Sequence, residues 1–137
     1  MIFTIGALKR LELLRTQPEL KAKLWENVNL LQNGLKDRGF NIGDTNTCVT
    51  PVYLEGSIPE AMVMVNDLRE NYNIFLSIVV YPVIPKGIIL LRMIPTATHT
   101  VEDINETLAA YEAIREKLEN GTYKRIAQET TVDVSNV

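Results

Sequence analysis

The chain has 137 residues, a formal net charge of −3, and a composition of 46% hydrophobic and 23% charged residues. These values suit one globular core, and the scattered basic residues argue against nucleic acid or anionic lipid as a partner. One cysteine cannot form an internal disulfide, and no apolar run reaches the roughly 18 residues of a membrane span. We therefore expect a cytoplasmic protein without a membrane span.

Two helices are predicted in the first forty residues. A stripe three residues apart indicates the first helix, and it consists of Ile5, Leu8, Leu11 and Leu14. Thr16 and Glu19 have the spacing of a capping box and predict the start of a second helix, after a break near Gln17. Gly39 followed by Phe40 is typical of a left-handed C-terminal cap and predicts where that helix ends.

Two more helices and three strands follow in the sequence. Capping-box spacing at Ser57 and Glu60, and again at Thr100 and Asp103, predicts a helix start at each place. The segments TCVTPVYL, NIFLSIVVYP and GIILLRMIP are rich in branched apolar residues and are predicted strands. The last two are joined by VIPKG, which is too short for a parallel crossover, so they should pair antiparallel.

The predicted fold class is α+β, with a three-stranded, mainly antiparallel sheet packed on helices in the order α-β-α-β-β-α. We divide the chain into a domain over residues 1–120 and a polar tail over residues 121–137. The tail alternates weakly at its valines, which favours either a frayed end or one added edge strand over residues 130–135.

Few residues suggest catalysis or metal binding. His99 is the only histidine and has no partner at metal-ligand spacing, so we interpret it as a hydrogen-bonding residue beside the Thr100 cap. Cys48 is interpreted as a small buried residue. No serine has a histidine and an acidic partner, and no glycine-rich phosphate loop occurs. We expect no catalytic residue and no metal site in this chain.

Arg92 is the unusual residue, because it lies within an apolar predicted strand. Alternation places it on one strand face with Ile88, Leu90 and Ile94. One interpretation pairs Arg92 with an acidic side chain of the same domain or puts it at the sheet edge. The other makes its planar guanidinium a bidentate clamp for a substrate carboxylate.

Three motifs in YPVIPKGIILLRMIPTATHTVEDI carry a resemblance to a known family. They are the Pro-x-x-Pro-x-Gly turn of Pro82, Pro85 and Gly87, the arginine of Leu-Leu-Arg at Arg92, and Ala-x-His-Thr-x-x-Asp-Ile over residues 97–104. The segment resembles the C-terminal part of the α-oxoamine synthases, pyridoxal-phosphate (PLP) enzymes that include glycine C-acetyltransferase, 8-amino-7-oxononanoate synthase and serine palmitoyltransferase. The resemblance extends over residues 1–120 and includes PELKAKLWENVNLLQNGLKDRGFNIG.

The resemblance implies the small C-terminal domain of a fold type I PLP enzyme. The family carries PLP on a lysine of an N-terminal large domain, and that lysine motif is absent here, so we expect this chain to be inactive alone and to bind no cofactor. The intact enzyme, a homodimer, would condense acyl-CoA with glycine, serine or alanine and release CO2 to leave a 2-amino ketone. Arg92 would bind the substrate carboxylate, and Pro82, Pro85 and Gly87 would form a substrate-pocket loop.

Two other interpretations stay open. The order β-α-β-β-α with an added last strand is close to a ferredoxin-like regulatory domain that binds a small ligand without catalysis. A purely structural role in an assembly is the second. If the chain is a small domain cut from its larger partner, its exposed apolar surface should make it prone to associate, through Ile2, Phe3, Ile5, Leu8 and Leu11 of the leading helix.

Overall fold

The computed structural model describes the backbone of residues 2–134 and the side chains of residues 3–129. Within that range the elements are α1 (Ile2–Thr16), α2 (Pro18–Asp37), β1 (Thr50–Glu55), α3 (Ile58–Tyr72), β2 (Ser77–Val79), β3 (Ile88–Met93), α4 (Val101–Glu119) and α5 (Thr122–Val134). The three strands form one antiparallel sheet in the order β1-β3-β2. The predicted α+β class and the antiparallel pairing of the last two strands are confirmed.

The predicted starts of α3 and α4 are confirmed by their backbone contacts. The N–H of Ser57 donates to Oε2 of Glu60 at 2.9 Å, and the N–H of Glu60 donates back to the Ser57 hydroxyl. At α4 the N–H of Thr100 donates to Asp103 Oδ2 at 2.8 Å, and the Asp103 N–H donates to Thr100 Oγ1 at 3.1 Å. Each pair satisfies two backbone donors that a helix start leaves unpaired.

The predicted capping box at Thr16 is wrong, whereas the break near Gln17 is confirmed. Thr16 is the last residue of α1, and its hydroxyl donates to the carbonyl of Glu12 at 2.9 Å. Gln17 is the N-cap of α2 and makes no side-chain cap hydrogen bond. A threonine in a last helical turn bonds back to its own helix, which removes it as a cap for the next one.

Gly39 ends α2 as predicted. Its φ of 76° is left-handed, its N–H donates to the Lys36 carbonyl at 2.9 Å, and the Phe40 N–H donates to the Leu35 carbonyl at 3.0 Å. This pair of bonds is the Schellman arrangement. Phe40 is buried and meets the ring of Tyr111 edge-on at 5.8 Å between centroids, which packs the end of α2 against α4.

The sheet has one covered face and one open face. Val52, Ile89 and Leu91 are fully buried, and they join the core formed with the helices. Because successive side chains alternate, the neighbours of these residues point to the opposite face. That face is only partly buried at Ile88 and Leu90. The helices thus form one layer, and within the described residues no helix packs on the second face of the sheet.

The secondary structure predicted for the tail is wrong. Residues 122–134 form helix α5 instead of a frayed end or an edge strand, and residue 135 lies outside the described residues. Asn120 Oδ1 accepts from the Thr122 N–H at 3.0 Å, and Tyr123 is packed into the core.

A ferredoxin-like sheet would need a fourth strand, and residues 2–134 form only three. The division at residue 120 stays a prediction, although α5 shares the core with the helices before it.

Candidate functional site

Arg92 lies on the open face of the sheet, on its central strand. The predicted alternation along β3 is correct, since Ile89, Leu91 and Met93 are buried while Arg92 is exposed. The side chain of Arg92 therefore does not enter the core formed by the described residues. The helices cover the other face of β3, so the guanidinium points away from the core.

The contacts of Arg92 are few. Its Nε donates to Oγ of Ser77 at 2.9 Å, and the Ser77 hydroxyl lies 3.4 Å from the Arg92 carbonyl, to which it donates. Within residues 3–129 Arg92 forms no ion pair, and no hydrogen bond engages Nη1 or Nη2. Ser77 is also the residue directly opposite Arg92 in the β2–β3 pairing.

Both structural explanations offered for Arg92 therefore fail within the described residues. An acidic partner from the same domain is not present there, and β3 lies between β1 and β2 instead of at the sheet edge. The pairing places Pro51 of β1 on the other side of Arg92. The guanidinium has a fixed Nε and two terminal nitrogens that are open to a ligand.

The proline turn lies at the opposite end of β3. The Tyr81–Pro82 peptide bond is cis, Gly87 has a φ of 86°, and the Gly87 carbonyl accepts from the Gly56 N–H at 2.9 Å. A surface pocket of about 560 Å³ separates this turn from the start of α3, and Tyr81, Lys86 and Gly87 contribute to its wall. At about 3.3 Å per strand residue, Arg92 lies roughly 13 Å from Ile88. Arg92 is not among the residues that line this pocket.

The turn after β3 contains His99. Its Nδ1 accepts from the Thr96 N–H at 3.1 Å, and its carbonyl accepts from Nδ2 of Asn27 at 2.8 Å. The Asn27 amide also donates to the Thr96 carbonyl at 2.9 Å. His99 is thus a hydrogen-bonding residue beside the α4 cap, as interpreted, and no group of three metal-ligating side chains occurs among the described residues.

Asn27 was missed by the sequence analysis. It is 1% exposed on α2 and fixes the turn that follows the Arg92 strand. A signal was available, because Asn27 lies three residues after Leu24 and four before Leu31, at a position on the apolar face of the helix. A polar amide at such a position indicates a buried hydrogen-bonding role.

Comparison with known proteins decides the family. No protein-family model matches the chain. The chain is 70% identical over 137 residues to the cysteate-C-fatty acyltransferase of Capnocytophaga ochracea, spanning all of this chain and 33% of that protein. It is 35% identical over 113 residues to the 8-amino-7-oxononanoate synthase of Symbiobacterium thermophilum, spanning 82% of this chain and 28% of that protein. The chain belongs to the α-oxoamine synthase family.

The solved structures agree with the family assignment. A serine palmitoyltransferase from S. paucimobilis, solved with bound PLP, superposes with a TM-score of 0.69 and 28% identity over 79% of this chain and 27% of that chain. The fold matches the C-terminal domain of such fold type I enzymes. The chain spans about a third of the length of the curated relatives that it matches. In the described residues no helix is long and apolar enough to cross a membrane.

The described residues do not fit PLP by themselves. Lys117 is bound at 2.8 Å by Asp67 on α3, and Lys86 lies over the Tyr81 ring at 5.1 Å. The remaining lysines between residues 3 and 129 are exposed on α1, α2 and α5. None of these positions encloses an amine in a pocket with partners for a pyridine ring and a phosphate.

Proposed function

We propose that this chain is the substrate-binding small domain of a PLP-dependent fatty acyltransferase and that Arg92 binds the carboxylate of its amino-acid substrate. The observation that carries the proposal is the exposed Arg92 guanidinium on the central strand, with Nε bound by Ser77 and no carboxylate partner among residues 3–129. The terminal nitrogens of this exposed guanidinium have no protein partner among the described residues, and a substrate carboxylate would bind them with two charge-assisted hydrogen bonds.

The geometry of the guanidinium suits that role. Because Nε is occupied, Nη1 and Nη2 form the free edge, and two parallel N–H donors match the two oxygens of a carboxylate. Binding both oxygens fixes rotation about the bond between the carboxylate and the α-carbon. Such orientation of a reacting bond contributes a large part of catalysis. The reaction, with PLP held by the rest of the enzyme, is the condensation of an acyl-CoA with an amino acid and the release of CO2.

The amino acid is proposed from the relative that is 70% identical over the whole chain. Its name states that cysteate is acylated by a fatty acyl group. We therefore place cysteate, which carries a sulfonate, ahead of the glycine, serine and alanine that the resemblance implied. Acyl-CoA as the donor, a homodimer, the remaining large domain and a cytoplasmic location stay predictions.

The proline turn belongs to the same proposal as a substrate-pocket loop. Pro82, Pro85 and Gly87 are exposed, and Gly87 lines the surface pocket of about 560 Å³. Stiff proline residues would hold such a loop in one shape with little loss of backbone entropy when substrate binds.

The experiment uses an intact enzyme, made by exchanging this chain for the matching third of the Capnocytophaga ochracea protein. Release of free CoA thiol from palmitoyl-CoA is followed with cysteate, glycine, serine or alanine as the acceptor. We expect CoA release that depends on the acceptor and is fastest with cysteate. The Arg92→Ala variant of this hybrid enzyme is then compared with the unmodified hybrid. If the variant folds and binds PLP but has an unchanged KM for the amino acid, Arg92 does not bind the carboxylate.

A further inference from the structure

Ser77 lies directly opposite Arg92 on the neighbouring strand, and its hydroxyl accepts the one hydrogen bond that the Arg92 side chain makes within the described residues. We propose that Ser77 is a positioning residue, which sets the orientation of the Arg92 guanidinium and so determines how the amino-acid substrate is held. This inference rests on the proposed function, because it assigns Ser77 a task only if Arg92 binds the carboxylate.

The contact joins the two residues at two points. The Ser77 hydroxyl accepts from Arg92 Nε at 2.9 Å and lies 3.4 Å from the carbonyl of the same residue, to which it donates. One hydroxyl can do both, because it has one donor and two acceptor positions. The side chain of Ser77 is therefore oriented by the backbone of β3 before it receives the guanidinium.

Orientation matters because the guanidinium can bind a carboxylate by more than one edge. Nε with one terminal nitrogen forms one bidentate edge, and the two terminal nitrogens form the other. With Nε bound to Ser77, only the edge of Nη1 and Nη2 is available. An arginine side chain on an exposed sheet face otherwise samples many rotamers. Fixing its free torsions when the substrate binds costs conformational entropy. Ser77 fixes part of the side chain in advance.

The position of Ser77 in the sheet supports a specific pairing. Ser77 is the first residue of β2, and the short pairing of β2 with β3 extends only over Ser77, Ile78 and Val79. Ile78 points to the core side, whereas Val79 lies opposite Leu90 on the open face and offers no polar atom. Ser77 has the only hydroxyl of β2, and Arg92 has the only guanidinium of β3. The register of the two strands places these two groups side by side.

The test measures steady-state kinetics of the intact enzyme with Ser77→Ala, Ser77→Thr, Arg92→Ala and the double variant Ser77→Ala/Arg92→Ala. We expect Ser77→Ala to raise the cysteate KM roughly 10- to 150-fold, the size expected for one hydrogen bond to a charged group. The KM for palmitoyl-CoA should not change. Ser77→Thr, which keeps the hydroxyl, should restore most of the affinity. Thr122→Ala, which removes a hydroxyl that bonds Asn120 Oδ1 at 2.6 Å, is the matched control and should leave the cysteate KM unchanged.

The double variant separates positioning from an independent effect. If Ser77 acts through Arg92, adding Ser77→Ala to Arg92→Ala should not lower kcat/KM further. A full additional loss of kcat/KM in the double variant would overturn the positioning role of Ser77. So would a Ser77→Ala variant with a lower melting temperature and a wild-type cysteate KM. In both cases Arg92 keeps its role in binding the carboxylate. A wild-type cysteate KM in Arg92→Ala would instead overturn the proposed function, and the role of Ser77 with it.

Discussion

The hydroxyl of Tyr123 donates a hydrogen bond of 2.6 Å to Oδ2 of Asp67, which joins helix α5 to helix α3. The same carboxylate accepts from Lys117 Nζ at 2.8 Å and, through Oδ1, from Asn71 Nδ2 at 2.6 Å. Tyr123 is 1% exposed, and the Asp67 side chain is 11% exposed. Helix α5 is therefore fixed by a polar cluster around the largely buried Asp67 carboxylate, in addition to apolar packing.

We expect Tyr123→Phe to destabilise the chain by about 1 to 3 kcal/mol. The substitution keeps the ring but removes one donor from a nearly buried carboxylate, and hydrogen bonds to charged groups are worth that much. Urea denaturation of the chain measures the free energy of unfolding. Tyr81→Phe is the control, since Tyr81 is 48% exposed and its hydroxyl can be hydrated. Equal stability of the two variants would show that the Tyr123 hydrogen bond contributes nothing.

The Asp67 cluster also predicts acid sensitivity. Burial alone would raise the pKa of Asp67, but hydrogen bonds from Lys117, Tyr123 and Asn71 and the Lys117 charge outweigh it and hold that pKa below its usual value. Because the pKa is lower in the folded state, the ionised carboxylate stabilises the fold above about pH 4, and this contribution is lost as the pH falls through the folded pKa.

Asp67→Asn should accordingly be less stable than the wild type at neutral pH, and the difference should shrink below about pH 4. Unfolding free energies measured over that range test this expectation. Glu70→Gln is the control, because Glu70 pairs with Arg69 on the surface and exposed ion pairs contribute little. A difference between Asp67→Asn and the wild type that stays constant down to pH 3 would contradict the linkage.

Helix α5 shows why part of the fold could not be predicted. The starts of α3 and α4 were predictable because their capping boxes are local, within four residues of chain. The segment after Gly121 is mostly polar, and its core contact depends on Tyr123 meeting Asp67, a residue 56 positions away. Its alternating valines imitate a strand, since short segments of two or three apolar residues fit both periods. Tertiary packing determines whether such a segment forms a helix or a strand.

The site was predictable in part for a related reason. The alternation along β3 correctly separated Arg92 from Ile89 and Leu91, but both faces of the strand are apolar in sequence. Which face the helices cover depends on how the layers pack, and the pattern of one strand does not determine it. The contact between Arg92 and Ser77 depends on strand register, which follows from the length of the proline turn. That register could have been derived by counting outward from the turn.

We expect the isolated chain to self-associate through α1. Phe3 is 92% exposed and Leu8 and Leu11 are also exposed, so the helix offers apolar side chains that would otherwise be covered. Sedimentation velocity over a wide concentration range should show association, and Leu8→Glu combined with Leu11→Glu should abolish it. Met62→Glu, at an exposed methionine of α3, is the control and should not. A wild-type chain that remains monomeric at high concentration would contradict the expectation.

Arg92 should affect substrate affinity much more than stability. In the intact enzyme, Arg92→Ala should cost about 2 to 5 kcal/mol of amino-acid binding or transition-state stabilisation. That corresponds to about 30-fold to several thousand-fold in affinity or rate. Arg92→Lys should recover part of the loss, because an ammonium keeps the charge but not the planar fork. The stability of the isolated chain should change by less than about 1 kcal/mol, since Arg92 is exposed and bonds only Ser77 among the described side chains.

The choice of amino acid in that experiment identifies the group that Arg92 holds. Cysteate has a carboxylate and a sulfonate, whereas alanine and serine have the carboxylate alone. If Arg92 grips the carboxylate, Arg92→Ala should weaken binding of all three by a similar factor, and titration followed by the absorbance of bound PLP measures each affinity. A loss confined to cysteate would assign Arg92 to the sulfonate instead, because only that substrate would then lose a partner. If Arg92→Ala gives the spectral changes of the wild type at the same concentrations of all three amino acids, Arg92 has no role in binding the amino acid.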